Sequence, residues 1–314
     1  MQLIQRAAII GVTGFVGRGL PTLLAENGVA TTGVSRSGGG SLAGVDQWQT
    51  PAALDFSGHD AVINLAGEPI DQRWTDESRR RFHESRAGLT RSVVEAIAKL
   101  PENERPKVLV NASAVGIYGD RGDEILTETS LIGGGYLADL CRDWEDAALA
   151  AEALGVRVVR LRTGIVLGRD GGAFKKLRPV FKLGIGGRLG SGRQWMPWIH
   201  LDDLRAAILH GILSESLAGA VNGTAPTPER NCDFTQKLAS AVHRPAIFPV
   251  PGFALKLMLG EFGGALLAGQ RALPAALEVD GFQFKFPTLE SALTDLIQHA
   301  ATGRLHRRDV GGDS

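Results

Sequence analysis

Short apolar runs recur along the first half of the chain at Ala7–Ile10, Ala30–Ser35, Ala61–Leu65, Val108–Ala112 and Val156–Leu161. Runs of this length with no polar face predict strands of a parallel sheet covered on both sides. Longer stretches with helical spacing lie between them, at Gly17–Glu26, Thr75–Leu100 and Leu137–Leu154. In the second of these, Leu89, Val93, Ala96, Ile97 and Leu100 share one stripe, and Arg79-Arg80-Arg81 falls on the other side. The alternation predicts an α/β fold, a Rossmann doubly wound parallel sheet. Pro21 falls inside the first helix and predicts a kink or a short first turn. After Gly168 the texture changes to glycine-rich and tryptophan-containing segments. Asn231–Ile297 then reads as helix, proline-rich link, helix, short strand (Phe282–Phe286) and terminal helix. The expected organisation is a Rossmann unit over residues 1–168, to which a helix at 201–213 returns. A smaller C-terminal lobe covers 169–302, and a flexible polar tail covers 303–314.

Composition narrows the class without naming a function. The chain has 314 residues, 44% hydrophobic, with 34 Lys and Arg against 34 Asp and Glu, so no global field favours nucleic acid or an anionic membrane. Two cysteines, Cys141 and Cys232, cannot build a disulfide framework and lack metal-type spacing, which fits a reducing compartment. The N-terminus lacks the pattern of a signal peptide, and the apolar stretch Gly252–Gln270 is broken by Lys256 and Glu261. The expectation is a cytoplasmic protein that meets a small molecule, with no nucleic-acid or membrane partner.

The strongest chemical signal is Gly11-Val12-Thr13-Gly14-Phe15-Val16-Gly17, placed where the first strand stops and helical patterning begins. Gly11 allows the tight turn, Gly14 lets backbone approach a pyrophosphate, and Gly17 lets the helix pack against the strand. Free N–H groups and the helix dipole then face phosphate. The second strand runs into Ser35-Arg36-Ser37 with no acid for a ribose 2′-hydroxyl. A guanidinium between two hydroxyls suits a 2′-phosphate, so NADP is the expected cofactor. Arg73 after the third strand is a candidate grip for an anionic substrate group, and Trp195, Met196 and Trp198 line either an apolar pocket or core. Asp202 and Asp203 are expected to cap the helix that follows.

Further motifs are Asn64-Leu65-Ala66-Gly67-Glu68-Pro69-Ile70, Ser113–Gly119, Leu161–Gly168 and Pro197–Asp203. With the glycine loop they resemble extended short-chain dehydrogenase/reductases over residues 7 to 297. More narrowly the chain resembles the atypical epimerase-like SDR39U-type subfamily, whose C-terminal domain is matched by Gly269-Gln270-Arg271 and Gly281–Leu289. The resemblance implies NADP contacts from Gly11–Gly17, from Ser35 and Arg36, from Leu65, Ala66 and Gly67, from Arg86, and from Thr163, Ile165 and Val166. It also implies a small C-terminal substrate lobe and a homodimer of the kind many relatives form. Such enzymes move a proton through a tyrosine whose partner is a lysine four residues later. That pair is absent: the aligned positions carry Leu137 and Cys141, and no lysine lies between Lys107 and Lys175. Ser113 is expected to polarise a carbonyl, with Tyr118 or an ordered water as proton donor. Cys141 is expected to be a buried, inert thiol. The leading expectation is an oxidoreductase or epimerase acting on a carbonyl, hydroxyl or nucleotide-sugar substrate. The alternative is an NADPH-binding sensor without turnover.

Overall fold

The computed structural model describes residues 4–305, with side chains through residue 298. The strands in chain order are β1 (Arg6–Ile10), β2 (Ala30–Val34), β3 (Gln47–Gln49), β4 (Ala61–Asn64), β5 (Val108–Ala114), β6 (Ile125–Leu126) and β7 (Arg157–Thr163). They continue with β8 (Ile165–Gly168), β9 (Trp195–Met196), β10 (Trp198–His200), β11 (Gly219–Gly223), β12 (Glu229–Arg230) and β13 (Arg271–Ala272). Seven form one sheet in the order β11-β7-β5-β4-β1-β2-β3, every pairing parallel. The chain winds outward from β1 in both directions, so a crevice opens where β1 meets β4.

Alternate residues of each strand feed two cores. Ile9, Ile63, Val110, Leu161 and Val221 pack on one face, with α1 (Leu20–Glu26) and α6 (Leu201–Leu213). Ile10, Val62, Leu109 and Val158 pack on the other. There they meet α3 (Leu89–Ala98) and the end of α4 (Tyr136–Leu149), reached through α2 (Asp76–His83). Period-2 alternation between two apolar faces is what a parallel strand buried on both sides requires. A third core joins α5 (Gly172–Lys182), α7 (Asn231–Ala241) and α11 (Leu289–Leu305) around Phe174, Trp198, Phe234 and Phe286. Between α7 and α11 lie α8 (Gly252–Leu259), α9 (Glu261–Ala265) and α10 (Ala275–Val279).

Several expectations are corrected. Gly17–Gly19 form a 3-10 turn, and α1 begins at Leu20 with Pro21 in its first turn, where the missing N–H costs nothing. Thr75 is the N-cap of α2, and the single helix expected over Thr75–Leu100 is broken by a π-helical turn at Glu84–Gly88. Phe282–Phe286 is not a strand. Its Lys285 and Phe286 N–H groups donate to the buried Asp203 carboxylate at 2.8 and 2.9 Å. Asp203 therefore tethers a loop, and His200 caps α6 by accepting from the Asp202 N–H. Of the expected tail, 303–305 continue α11, and 306–314 lie outside the described residues.

Candidate dinucleotide and catalytic site

The glycine loop sits at the mouth of the crevice. Gly11 has φ +82°, and a Cβ there would lie 3.1 Å from the Ala66 nitrogen, so the loops after β1 and β4 touch. A Cβ at Gly17 would lie 2.4 Å from the Gly11 oxygen. The Gly14 N–H donates to Gly11 O at 2.9 Å, closing the turn. Arg205 of α6 donates to the carbonyls of Val16 (2.9 Å) and Phe15 (3.2 Å), turning them toward the protein. Among the described residues the N–H groups of Thr13, Phe15 and Val16 find no protein acceptor. Such a set of free donors is what a pyrophosphate requires. Phe15 is seated in a glycine cup: a Cβ at Gly171 would come within 2.2 Å of its ring, and one at Gly168 within 2.6 Å.

At the end of β2 the Ser35 and Ser37 hydroxyls lie 3.2 Å apart, and Ser37 donates to Gly39 O at 2.9 Å. The Arg36 side chain is exposed and has no hydrogen-bond or ion-pair partner among the described residues. No carboxylate bonds to this group, so it fits a 2′-phosphate better than a 2′-hydroxyl. Arg86 lies behind the Ala66-Gly67-Glu68 turn. Its guanidinium donates to Glu68 O at 2.9 Å and faces the Trp144 ring at 5.3 Å. Gly67 leaves room for it, since a Cβ there would lie 3.2 Å from Arg86 Cζ. Arg86 thus supports the turn from the π-helical segment. On the far side of the crevice, Ile165 N donates to Pro197 O at 2.7 Å, and Thr163 and Val166 are half-buried beside it.

The helix-facing side of the sheet changes character along its length. Where Val62, Leu109 and Val158 are apolar, the same face toward the C-terminal strand ends carries Asn64, Asn111, Ser113, Arg160 and Arg162. Asn64 donates to Asn111 (2.7 Å) and to Thr90 (2.9 Å), all buried. Ser113 pairs in register with Arg162 and donates its hydroxyl to Glu145 of α4 at 2.7 Å. Glu145 is 2% exposed and accepts from Arg162 (2.8 and 2.9 Å) and Arg160 (2.9 Å). Its carboxylate and hydrogen bonds hold the Arg162 guanidinium well above its ordinary pKa, against the opposing effect of burial. One carboxylate thus bridges two guanidiniums, leaving the triad with one net positive charge, and fixes the Ser113 rotamer.

Tyr118 corrects an expectation. Its side chain has no exposed surface, and its hydroxyl donates to Asn222 (2.7 Å) while accepting from Arg162 (2.9 Å). With its hydrogen engaged by Asn222 and its oxygen by Arg162, the hydroxyl holds Arg162 in place rather than facing a ligand, and burial raises its pKa. Cys141 is 4% exposed with its thiol pushed up to about 12 by burial, the inert thiol that was expected. Arg73 is spent on the carbonyls of Leu257 (2.7 Å) and Met258 (3.3 Å) at the end of α8. Trp198 is core, bonded to Thr227 O. Trp195 lies between the guanidiniums of Arg230 and Arg271, at 4.7 and 4.5 Å. Sequence reading missed Arg160 and Glu145 as site groups. The signal for the arginines was there, as two charges at every second position of a buried strand.

Two family profiles match the chain. The NAD dependent epimerase/dehydratase family covers residues 7–220, and a domain of unknown function, DUF1731, covers 250–296. An Arabidopsis thaliana relative, "Epimerase family protein SDR39U1 homolog, chloroplastic", is 40% identical over 93% of this chain and 86% of its own length. A Mycobacterium leprae epimerase family protein is 38% identical over 91% of this chain and 94% of its own. Among solved structures, human epimerase family protein SDR39U1 (isoform 2) with NADPH superposes with a TM-score of 0.84. It is 33% identical, over 93% of this chain and 98% of that one. The chain belongs to the NAD dependent epimerase/dehydratase family, and its C-terminal region is a DUF1731 domain.

Proposed function

We propose that the protein is an NADP(H)-dependent, epimerase-like oxidoreductase of the cytoplasm, acting on a small carbonyl, hydroxyl or nucleotide-sugar substrate. The observation that carries this reading is Ser113, buried near the C-terminal end of β5 and held by a buried Glu145 that two arginines bind. A buried ion triad is costly to desolvate, and it keeps a side-chain oxygen in one position at the C-terminal end of the sheet, the end at which the glycine loop also lies. The cofactor would lie across Gly11, Thr13, Gly14, Phe15, Val16 and Gly17, with its 2′-phosphate at Ser35, Arg36 and Ser37. Its nicotinamide would lie by Thr163, Ile165 and Val166, and the human relative binds NADPH on the same fold. When bound, NADP(H) supplies the hydride. Because its hydroxyl donates to Glu145, the Ser113 oxygen would accept from a substrate hydroxyl and orient the carbon that exchanges hydride, rather than donate to a carbonyl as the resemblance implied.

A second reading is favoured by one specific observation. Leu137 and Cys141 occupy the usual tyrosine and lysine positions, so the protein would bind NADPH as a sensor without turnover. Ser113→Ala separates the two. Nicotinamide absorbance is followed across a panel of carbonyl and nucleotide-sugar substrates, with NADPH affinity measured in parallel. The enzyme reading expects turnover to collapse in the variant while NADPH binding holds. Turnover unchanged in Ser113→Ala removes the serine from the mechanism, and tight NADPH binding with no turnover in the parent protein supports the sensor.

A further inference from the structure

Thirteen large apolar side chains are exposed among the described residues, and eight of them fall in two segments, 180–185 and 247–258. Leu183, Phe253 and Leu257 are each about three-quarters exposed. The segments are joined in space. Val250 N donates to Arg188 O (2.9 Å), Gly190 N donates to Val250 O (2.8 Å), and Arg244 donates to Lys182 O (3.1 Å). The end of α5, the turn after it, the link before α8 and α8 itself therefore make one apolar edge. Phe253 and Leu257 lie four residues apart on one side of α8.

Charge along this edge is one-sided. Residues 171–201 hold six Lys and Arg and no acid, and residues 234–260 hold three and no acid, in a chain whose totals balance at 34 each. Lys176 is paired with Asp71, and Lys237 with Glu229 and Glu290. The exposed Lys175 and Lys256 have no ion pair among the described residues, and Arg244 bonds only to carbonyl oxygens. Glu261, which ends the second stretch, is bound to Arg79. Exposed apolar side chains rimmed by unneutralised cations match the boundary of an anionic bilayer. The apolar groups enter the acyl region, and the cations meet lipid phosphates. A second copy fits poorly, because a self-complementary contact would bring the two cationic rims together.

We propose that this edge is a peripheral membrane-binding surface for anionic phospholipid. The chain-wide charge balance does not reveal this edge, because the acids that border it are engaged by Lys176, Lys237 and Arg79. No described helix is long and apolar enough to cross a bilayer, so the contact lies on the surface rather than through it. The inference stands apart from the redox reading, since neither Ser113 nor the glycine loop enters it.

The full chain is floated with vesicles of equimolar phosphatidylcholine and phosphatidylglycerol, and with phosphatidylcholine alone. Binding to the anionic vesicles, weakened by salt and much lower on neutral ones, is expected. Phe253→Ser and Leu257→Ser, exposed sites that leave the core intact, should each weaken it about tenfold. Lys175→Ala and Lys256→Ala should each weaken it about fivefold. Absence of binding to anionic vesicles overturns the proposal, as does binding that none of the four variants changes. A dimer at micromolar concentration that Phe253→Ser dissociates would also overturn it, by assigning the edge to a second copy.

Discussion

Arg36 shows how much one side chain decides when nothing else satisfies it. The guanidinium ends β2 beside two serine hydroxyls, and no described carboxylate claims it. A charge-assisted hydrogen bond to phosphate is worth about 1.5–3 kcal/mol. Arg36→Ala should therefore weaken NADPH binding by roughly tenfold to a hundredfold and leave NADH binding nearly unchanged, read by calorimetric titration. Equal losses for both nucleotides would remove the basis for NADP. This candidate site can be proposed from sequence because a glycine loop and the end of the next strand are local features. The Ser113 network was only half legible. Ser113 is a candidate by the resemblance and by its place at a strand end, but its partner Glu145 comes from a helix 32 residues on, and no local pattern pairs them. Tyr118 was misjudged for the same reason. Asn222, 104 residues away in the chain, accepts its hydroxyl hydrogen bond, and no local pattern pairs the two.

Among elements, the turn between β8 and α5 seats the Phe15 ring of the glycine loop. Gly168, Gly171 and Gly172 leave the space that Phe15 fills, and Phe15 neighbours the loop donors. Gly171→Ala should displace that ring and lower NADPH affinity about tenfold, a loss of the size expected when donors move off a bound phosphate. Gly264→Ala, in α9 with open space at its Cβ, is the control and should leave affinity unchanged. Fluorescence titration of NADPH reads both. Element boundaries followed sequence where caps and prolines mark them, as at Thr75 and Pro21. They departed from it where tertiary contacts intervened. The Phe282–Phe286 segment alternates like a strand, yet no neighbour pairs with it and its N–H groups go to Asp203.

For the molecule as a whole, two buried histidines set a pH limit on stability. His59 lies against Thr32 (2.8 Å) and Ser57 O (3.1 Å). His200 lies within 3.4 Å of Asp295, near Asp202, Asp203 and Lys285. Burial lowers the pKa of each below that of a free histidine. The unfolded chain then binds more protons than the folded one, so stability is full above about pH 6.5 and falls as pH drops toward the lowered folded values. Each histidine contributes a slope of at most about 1.4 kcal/mol per pH unit in that window. His59→Gln should remove roughly half of the fall, measured by urea unfolding across the window. A slope equal to that of the parent protein would show that His59 does not carry it.

What the sequence determined by itself was local. Apolar runs alternating with helical stripes imply a doubly wound sheet, because a strand with no polar face must be covered twice. The glycine spacing implies a phosphate turn, because only glycine leaves room for backbone against backbone at Gly11 and Gly17. Tertiary structure decided everything that depends on which distant segments meet. It placed Glu145 between two arginines and Ser113, and it locked Tyr118. It also joined the end of α5 and the turn after it to the link before α8, bringing exposed apolar side chains from two distant segments onto one edge. Charge and hydrogen-bond partners act over a few ångströms of space, and positions far apart in the chain come that close only once the fold has formed.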